Sequence, residues 1–386
     1  MAYLDYNATT PLAPCALAAM VPVLEHEFGN ASSIHSHGRR ARGVLDNSRE
    51  TLAAILGVRP HEIVFTGGGT ESDNLAILGL ARSRKAHGNH LITASTEHHA
   101  VLHAFEFLAE SEGFEVTVLS VTRDGLVDPE HLRSSIKSDT ILVSIMSANN
   151  ETGVTQPLHE LAAICRSKGV PMHSDMVQSF GKQPVKPREL GISAMSIAAH
   201  KFYGPKGAGI LYLEAGHALA PLHLGGAHEN QRRPGTEDVA NIAGMAAAAE
   251  WVQSGLESEQ FRQNLLRERL WDGIRRLSPT AVRNGSSDQT LANTLNVTFP
   301  GVDGETMLIG LDLEGVSASS GSACMVGSVQ PSHVLIAMGV EPALAKSTVR
   351  FSLGKPTTAD EIDAVIVGLE RVLLRQASVA ATHRKS

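Results

Sequence analysis

The strongest constraint on the fold is a single junction. The apolar run Glu62-Ile-Val-Phe-Thr66 enters Gly67-Gly-Gly-Thr70 without a spacer and continues into an apolar-periodic stretch from Ser72 to Ala81. A strand that passes through glycines directly into a helix opens a β-α unit. Six further β-rich runs come after it, at His90 to Ala94, Phe114 to Val121, Thr140 to Met146, Val170 to Ser174, Ala194 to Ala198 and Gly209 to Leu213, with helical patterns between most of them. Such alternation predicts an α/β fold with a mostly parallel, doubly wound, seven-stranded sheet. The link from His200 to Ala208 is too short for a helical crossover, so the last pair is expected to be antiparallel.

After about residue 215 the rhythm changes to a loop rich in Gly, His and Arg (Gly225 to Thr236), an Ala-rich helix and a long charged helix ending near Leu277. The remainder reads as a smaller α+β unit, with strands at Thr294 to Phe299, Val316 to Ser319 and Thr348 to Leu353 and a closing amphipathic helix from Asp360 to Arg375. The expected division is a large domain over 15–255, a small one combining 1–14 with 256–377, and a frayed tail over 378–386.

Composition removes several classes of function. Lys and Arg number 33 against 40 Asp and Glu, a formal net charge of −7, and the cations form no stripe, so nucleic acid is not an expected partner. Hydrophobic residues make up 42% of 386 positions, enough for a sizeable core and against disorder as the main state. Three widely spaced cysteines cannot staple the fold and point to a reducing compartment. No apolar run reaches the roughly 18 residues of a membrane helix, and the start Met-Ala-Tyr-Leu-Asp lacks the layout of a signal peptide. The expectation is a cytoplasmic protein without membrane contact.

Four segments carry candidate chemistry. Gly68, Gly69 and Thr70 form either a plain tight turn or an anion cradle, since a glycine turn at a helix start exposes backbone N–H groups at the positive end of the dipole. Neither the dinucleotide fingerprint nor a Walker spacing occurs, so a single phosphate is the expected anion. Lys201, just beyond an apolar strand and before a glycine-rich turn, is either a solvated edge residue or a desolvated amine able to form a Schiff base. Asp175 ends a strand at the carboxyl edge of the sheet, the usual ligand crevice, where it is a helix cap, a structural ion-pair partner or a ligand to a cation. Cys324, in Ser319-Ser-Gly-Ser-Ala-Cys324, has small neighbours suited to a flexible loop carrying a thiol, whereas Cys15 and Cys165 read as inert core residues. The histidine pairs and clusters at His35, His37, His98, His99 and His103 lack any zinc-site spacing. A phosphate cradle, a carboxylate, a lysine and a thiol together suit a cofactor with a phosphate, a pyridine nitrogen and an aldehyde, namely pyridoxal 5'-phosphate.

The chain resembles the cysteine desulfurases of the NifS/IscS group, class-V aminotransferases within the fold-type I pyridoxal-phosphate enzymes. The resemblance runs from Tyr3-Leu-Asp-Tyr-Asn-Ala-Thr-Thr-Pro11 to Arg350-Phe-Ser-Leu-Gly354. Between them stand Gly69-Thr-Glu-Ser-Asp-Asn74, Thr96-Glu-His98, Asn149-Asn-Glu-Thr-Gly153, His200-Lys201, Arg232-Arg-Pro-Gly-Thr236, Ser319 to Cys324 and Gln330-Pro-Ser-His-Val334. It implies that Lys201 holds the cofactor covalently and moves the substrate Cα proton. Asp175 would pair with the pyridine nitrogen, Gln178 with the phenolic oxygen, and His98 would stack on the ring and, as a catalytic residue, shuttle protons. Gly69, Thr70 and His200 would hold the phosphate, joined by Thr236 of a neighbouring subunit in a homodimer. Arg350, assisted by Asn150, would take the carboxylate of L-cysteine, and Cys324, carried by the small domain, would accept its sulfur as a persulfide for a sulfur-acceptor protein or iron–sulfur scaffold. The resemblance departs at Ala198, where a serine that binds phosphate is usual, and at the bulky Met176 near the expected ring position. Selenocysteine lyase or another C–S lyase is the alternative chemistry, and a cofactor-binding scaffold with little turnover the alternative class.

Overall fold

The computed structural model describes residues 1–320 and 331–383, with side chains described as far as residue 376. Its strands are β1 (Ala2–Tyr3), β2 (Ile63–Thr66), β3 (His90–Ala94), β4 (Glu115–Leu119), β5 (Thr140–Ser144), β6 (Met172–Asp175), β7 (Ala194–Ala198), β8 (Gly209–Leu213), β9 (Val282–Arg283), β10 (Thr294–Thr298), β11 (Val316–Ser317) and β12 (Thr348–Ser352). Seven of them form one sheet in the order β2-β8-β7-β6-β5-β3-β4. All neighbours are parallel except β8, which runs against both β2 and β7. This matches the expectation from the short His200–Ala208 link, because only an antiparallel pair can be joined by so few residues.

The central strands are continuous apolar runs because both faces of the sheet are covered. In β2, Ile63 and Phe65 point into one buried cluster with Val143, Ile197 and Ile210. Val64 points the other way, to Leu75, Leu80, Leu91, Phe105 and Leu211. The helix after β2 spans Gly69–Arg84, starting three residues before its apolar periodicity does, because the turn glycines already belong to its first turn.

A second, smaller core lies against the antiparallel sheet β12-β10-β9. There Leu295, Val297 and Phe299 meet Leu266, Leu270 and Ile274 of the helix Leu256–Leu277, together with Ile362, Val365 and Leu369 of the last helix, Ala359–His383. The N-terminal segment belongs to this end of the molecule. β1 pairs in parallel with β11, Tyr6 N–H donates to the Ser352 carbonyl, and Asn7 N–H donates to the Ser352 hydroxyl. The N-terminal segment, β11 and β12 therefore belong together, and Asn7 to Thr9 reach from them to the carboxyl edge of the large sheet. Among the described residues no helix is long and apolar enough to cross a membrane.

Candidate active site

The carboxyl ends of the parallel strands converge on one region, as expected for an open α/β sheet. At its floor is the glycine turn after β2. The helix Gly69–Arg84 has no side-chain cap, and Gly68, Gly69 and Thr70 line an open depression of about 800 Å³ together with Ala8, Thr9, Asn74, His200 and Lys206. Glycine is required at 69 by proximity: a Cβ there would lie 2.7 Å from Val177 Cγ2 and 3.4 Å from Ala198 Cβ. The uncapped N–H groups at the helix start and the Lys206 cation make this depression suitable for an anion. Glu71 also lines it, its carboxylate held by Gly67 N–H at 2.7 Å and by Arg233 Nε at 2.8 Å.

Lys201 sits in the short 3-10 turn Ala199–Lys201 directly after β7. Its Nζ donates to the carbonyls of Asn7 at 2.6 Å and Ala8 at 2.9 Å, so the N-terminal segment supplies its counter-dipoles. Asp175 ends β6, and its Oδ1 accepts from Val177 N–H at 2.8 Å. Burial pushes the Asp175 carboxyl up to about 6, while that hydrogen bond and the Lys201 charge pull it down. Two other buried acids nearby, Asp73 and Glu97, are pushed well above the carboxylate range by burial and by the charge of Asp175, so Asp175 is the one favoured to ionise. His173 underlies the strand end between the hydroxyls of Ser144 at 2.8 Å and Ser196 at 3.0 Å, and burial lowers it to about 3, so it stays neutral.

His98 caps the helix His99–Glu112, accepting from Ala100 N–H at Nδ1, which places its ring proton on Nε2. Burial first, then the charge of Lys201, lowers it to about 4. His200 is lowered to about 4 for the same two reasons, and its Nδ1 lies 3.1 Å from Thr9 Oγ1. Two neutral imidazoles thus flank the lysine. Gln178 is buried, donating from Nε2 to the Asn7 carbonyl at 2.9 Å.

Arg350 comes from β12, in the small sheet, and is 2% exposed. Nη1 donates to the Asn150 carbonyl at 2.9 Å and Nη2 to Asp5 Oδ1 at 2.6 Å, while Nε has no hydrogen-bond partner among the described residues. A buried guanidinium with an unmet donor is suited to a carboxylate ligand. Arg350 also exchanges backbone hydrogen bonds with Ser319, the first residue of the segment that leads to Cys324. Cys324 itself lies outside the described residues. Cys165 is buried, its thiol pushed up to about 12, in keeping with an inert core residue, and Cys15 is half-buried.

One expectation is modified. Met176 is fully buried in the core and lines a depression with Pro157, His159 and Val185, so it does not face the glycine turn; Val177 does. The strand alternation ends at Asp175, where the chain turns, with Ser179 and Phe180 N–H both returning to the Met176 carbonyl. Thr236 is exposed in this chain and lines a depression with Gly67, Gly207 and Arg233 that adjoins the one holding Thr70 and His200, Gly67 and Gly207 bordering both. Three groups not singled out in the sequence also belong here: Asn7, Lys182 and Glu151. Asn7 stands inside the N-terminal motif and Glu151 inside Asn149-Asn-Glu-Thr-Gly153, where nothing local gives either a role, and Lys182 has no neighbouring pattern to mark it.

Residues 2–365 match the model of the aminotransferase class-V family. The chain belongs to that family. Within it the chain groups with NifS/IscS-type cysteine desulfurases: it is 45% identical over 371 residues to Cysteine desulfurase IscS of Dictyoglomus turgidum, covering 96% of this chain and 94% of that one. The solved structure of a NifS-like protein superposes with a TM-score of 0.91 at 36% identity, covering 96% and 99% of the two chains. The structure of SspA in complex with cysteine is also similar, with a TM-score of 0.81 at 36% identity over 92% of this chain and 99% of that one. The fold is thus that of the fold-type I enzymes.

Proposed function

We propose that this protein is a cytoplasmic, homodimeric, pyridoxal-phosphate-dependent cysteine desulfurase that converts L-cysteine to L-alanine and passes the sulfur, through a persulfide on Cys324, to an acceptor protein or iron–sulfur scaffold. The observation that carries the reading is the convergence around Lys201: an amine on two carbonyls, with a buried acid at Asp175 and neutral histidines at 98 and 200 in electrostatic contact. The desulfurase names of the relatives and the bound cysteine of SspA support the substrate.

The residues present fit the cofactor. The space at Gly69, which excludes even a methyl group, leaves backbone N–H groups and the Thr70 hydroxyl for the phosphate, with His200 at its side. Asp175 is the acid for the pyridine nitrogen, Gln178 the donor for the phenolic oxygen, His98 the ring that stacks, and Lys201 the amine for the aldehyde. When bound, pyridoxal phosphate supplies an electron sink that weakens bonds at the substrate's α and β carbons. Lys201 Nζ then moves the Cα proton, which its position after β7 and its short carbonyl contacts allow. Arg350 and Asn150 orient the substrate carboxylate, fixing which face of Cα meets Lys201. Neutral His98, with its proton on Nε2, is able to give a proton to the departing carbon fragment.

The Cys324 thiolate attacks the substrate sulfur. The Cβ–S bond breaks, an S–S bond forms on the enzyme, and protonation of the carbon fragment yields alanine. The division into 15–255 for the cofactor and 1–14 with 256–377 for Arg350 and the Cys324 segment belongs to the same proposal, as does Thr236 completing the phosphate site of a second subunit.

The test is alanine release from L-cysteine with excess thiol, wild type against Cys324→Ala at equal cofactor loading. Release by the wild type and loss in the variant is the expected result. Release that survives in Cys324→Ala favours a C–S or selenocysteine lyase, and absence of release from loaded wild type refutes the desulfurase assignment.

A further inference from the structure

Beyond Lys201, the site holds a second, half-buried lysine. After Asp175 the chain winds through Met176 to Gln183, with Lys182 N–H donating to the Ser179 carbonyl, and this turn sets Gln178 and Lys182 on the same side. Lys182 Nζ donates to Gln178 Oε1 at 2.6 Å and to Asn7 Oδ1 at 3.0 Å. The backbone at this point is held from outside, since Gln260 Nε2, on the helix Leu256–Leu277, donates to the Lys182 carbonyl at 2.7 Å.

These contacts decide the orientation of Gln178. A side-chain amide has a donor end and an acceptor end, and nothing about its shape selects between them. Here both ends are dictated. Lys182 offers donors to one end, and the Asn7 carbonyl, which accepts only, faces the other. The same Asn7 carbonyl accepts from Lys201 Nζ, so the Gln178 nitrogen is aimed at the place where the Lys201 nitrogen lies. The Asn7 amide is itself pinned, with Oδ1 also accepting from Asn293 Nδ2 and Nδ2 donating to Thr294 Oγ1 and the Asn150 carbonyl. Placing a lysine here has a cost, since desolvation, with Lys201 and Arg350 acting the same way, holds its ammonium well below the usual lysine range. A purely structural contact between Asn7 and Gln178 would be served by a neutral residue at lower cost.

We infer that Lys182 is a positioning residue of the cofactor site, which fixes the Gln178 amide so that its nitrogen is the end presented to the cofactor. It touches neither substrate nor cofactor and acts through Gln178. This rests on the cofactor assignment proposed above.

The experiment is a double-mutant cycle on pyridoxal phosphate binding to the cofactor-free protein, with Lys182→Met, Gln178→Ala and the pair. The readouts are the dissociation constant, the wavelength of the visible band of the loaded protein, and the melting temperature. Loss of one oriented hydrogen bond predicts binding weakened about tenfold in each single variant. The pair should bind no worse than Gln178→Ala alone, with the same band position. Losses that multiply in the double variant, or wild-type binding and band in Lys182→Met, overturn the inference. If Lys182→Met does not melt cooperatively, Gln178→Glu decides the matter, because its carboxylate keeps the partner for Lys182 but offers no donor. It should bind the cofactor weakly while still melting cooperatively, at a temperature lowered by the loss of the Asn7 hydrogen bond, and wild-type affinity would refute the orienting role. Failure of the wild type itself to bind pyridoxal phosphate would overturn the cofactor assignment as well, so the two failures are distinguishable.

Discussion

Glu151 offers a measurement in which charge, burial and pH can be separated. It is 3% exposed, next to Asn150, and Ser332 Oγ donates to its Oε2 at 2.5 Å. Burial pushes its carboxyl from 4.5 up to about 7, with the Ser332 hydrogen bond and the Arg350 charge pulling in the opposite direction. The folded chain therefore binds this proton more tightly than the unfolded chain does. The stability it contributes is whole below the unfolded value and is lost as pH rises through the folded one. At about 1.36 kcal/mol per pH unit the complete loss is about 3 kcal/mol, of which about 2.5 falls between pH 5 and pH 8. Glu151→Gln preserves shape and an acceptor for Ser332 but cannot ionise. Urea denaturation of cofactor-free wild type and variant at both pH values should show the variant gaining about 2.5 kcal/mol on the wild type as pH is raised. A difference between the two proteins that is the same at both pH values would refute the assignment of a buried, protonated Glu151.

Three other substitutions test the local geometry. Gly69→Ala should cost about 1–3 kcal/mol and weaken pyridoxal phosphate binding, because its Cβ would meet Val177; Val177→Ala in the same chain should restore much of both, as read by melting and by absorbance titration. Ala198→Ser, next to the Gly69 turn, should tighten cofactor binding about tenfold by adding a hydroxyl donor, and an unchanged dissociation constant would mean that the donor is already supplied. Gln231 ends a run of three non-glycine residues with positive φ (48°, 56° and 64° at Glu229, Asn230 and Gln231). Gln231→Gly should therefore raise stability by about 1 kcal/mol in urea denaturation, while a loss would show that the Gln231 side chain repays its strain.

Legibility in the sequence divides along a physical line. Strands such as β2 and β8 are legible because a buried strand covered on both faces must be apolar throughout, and the glycine turn is legible because it interrupts two periodic patterns at once. Lys201 and Asp175 stand at strand ends, which a periodicity reading locates. Val177 is not separable from Met176 in this way, because alternation of faces holds only inside a strand and the chain turns at that point. Asn7, Lys182 and Glu151 are not legible as a site for another reason: their partners are more than a hundred residues away or lie on the opposite side of a turn, and no local pattern records a contact of that separation. The pairing of Arg350 with Asp5 belongs to the same class.

The segment Ala2–Thr9 also has a bearing on biosynthesis. It is synthesised long before its partners, yet β1 docks on β11, Asp5 meets Arg350, and Asn7 bonds with Asn293, Thr294 and Ser352. Closing a loop of some three hundred residues cannot precede synthesis of its far end. Until that moment the Lys201 amine lacks the Asn7 and Ala8 carbonyls that hold it, and Gln178 and Lys182 lack the residue that joins them. The nascent chain can thus assemble most of the large sheet while its reactive lysine is still unconfigured, and maturation of the site waits for the synthesis of β12.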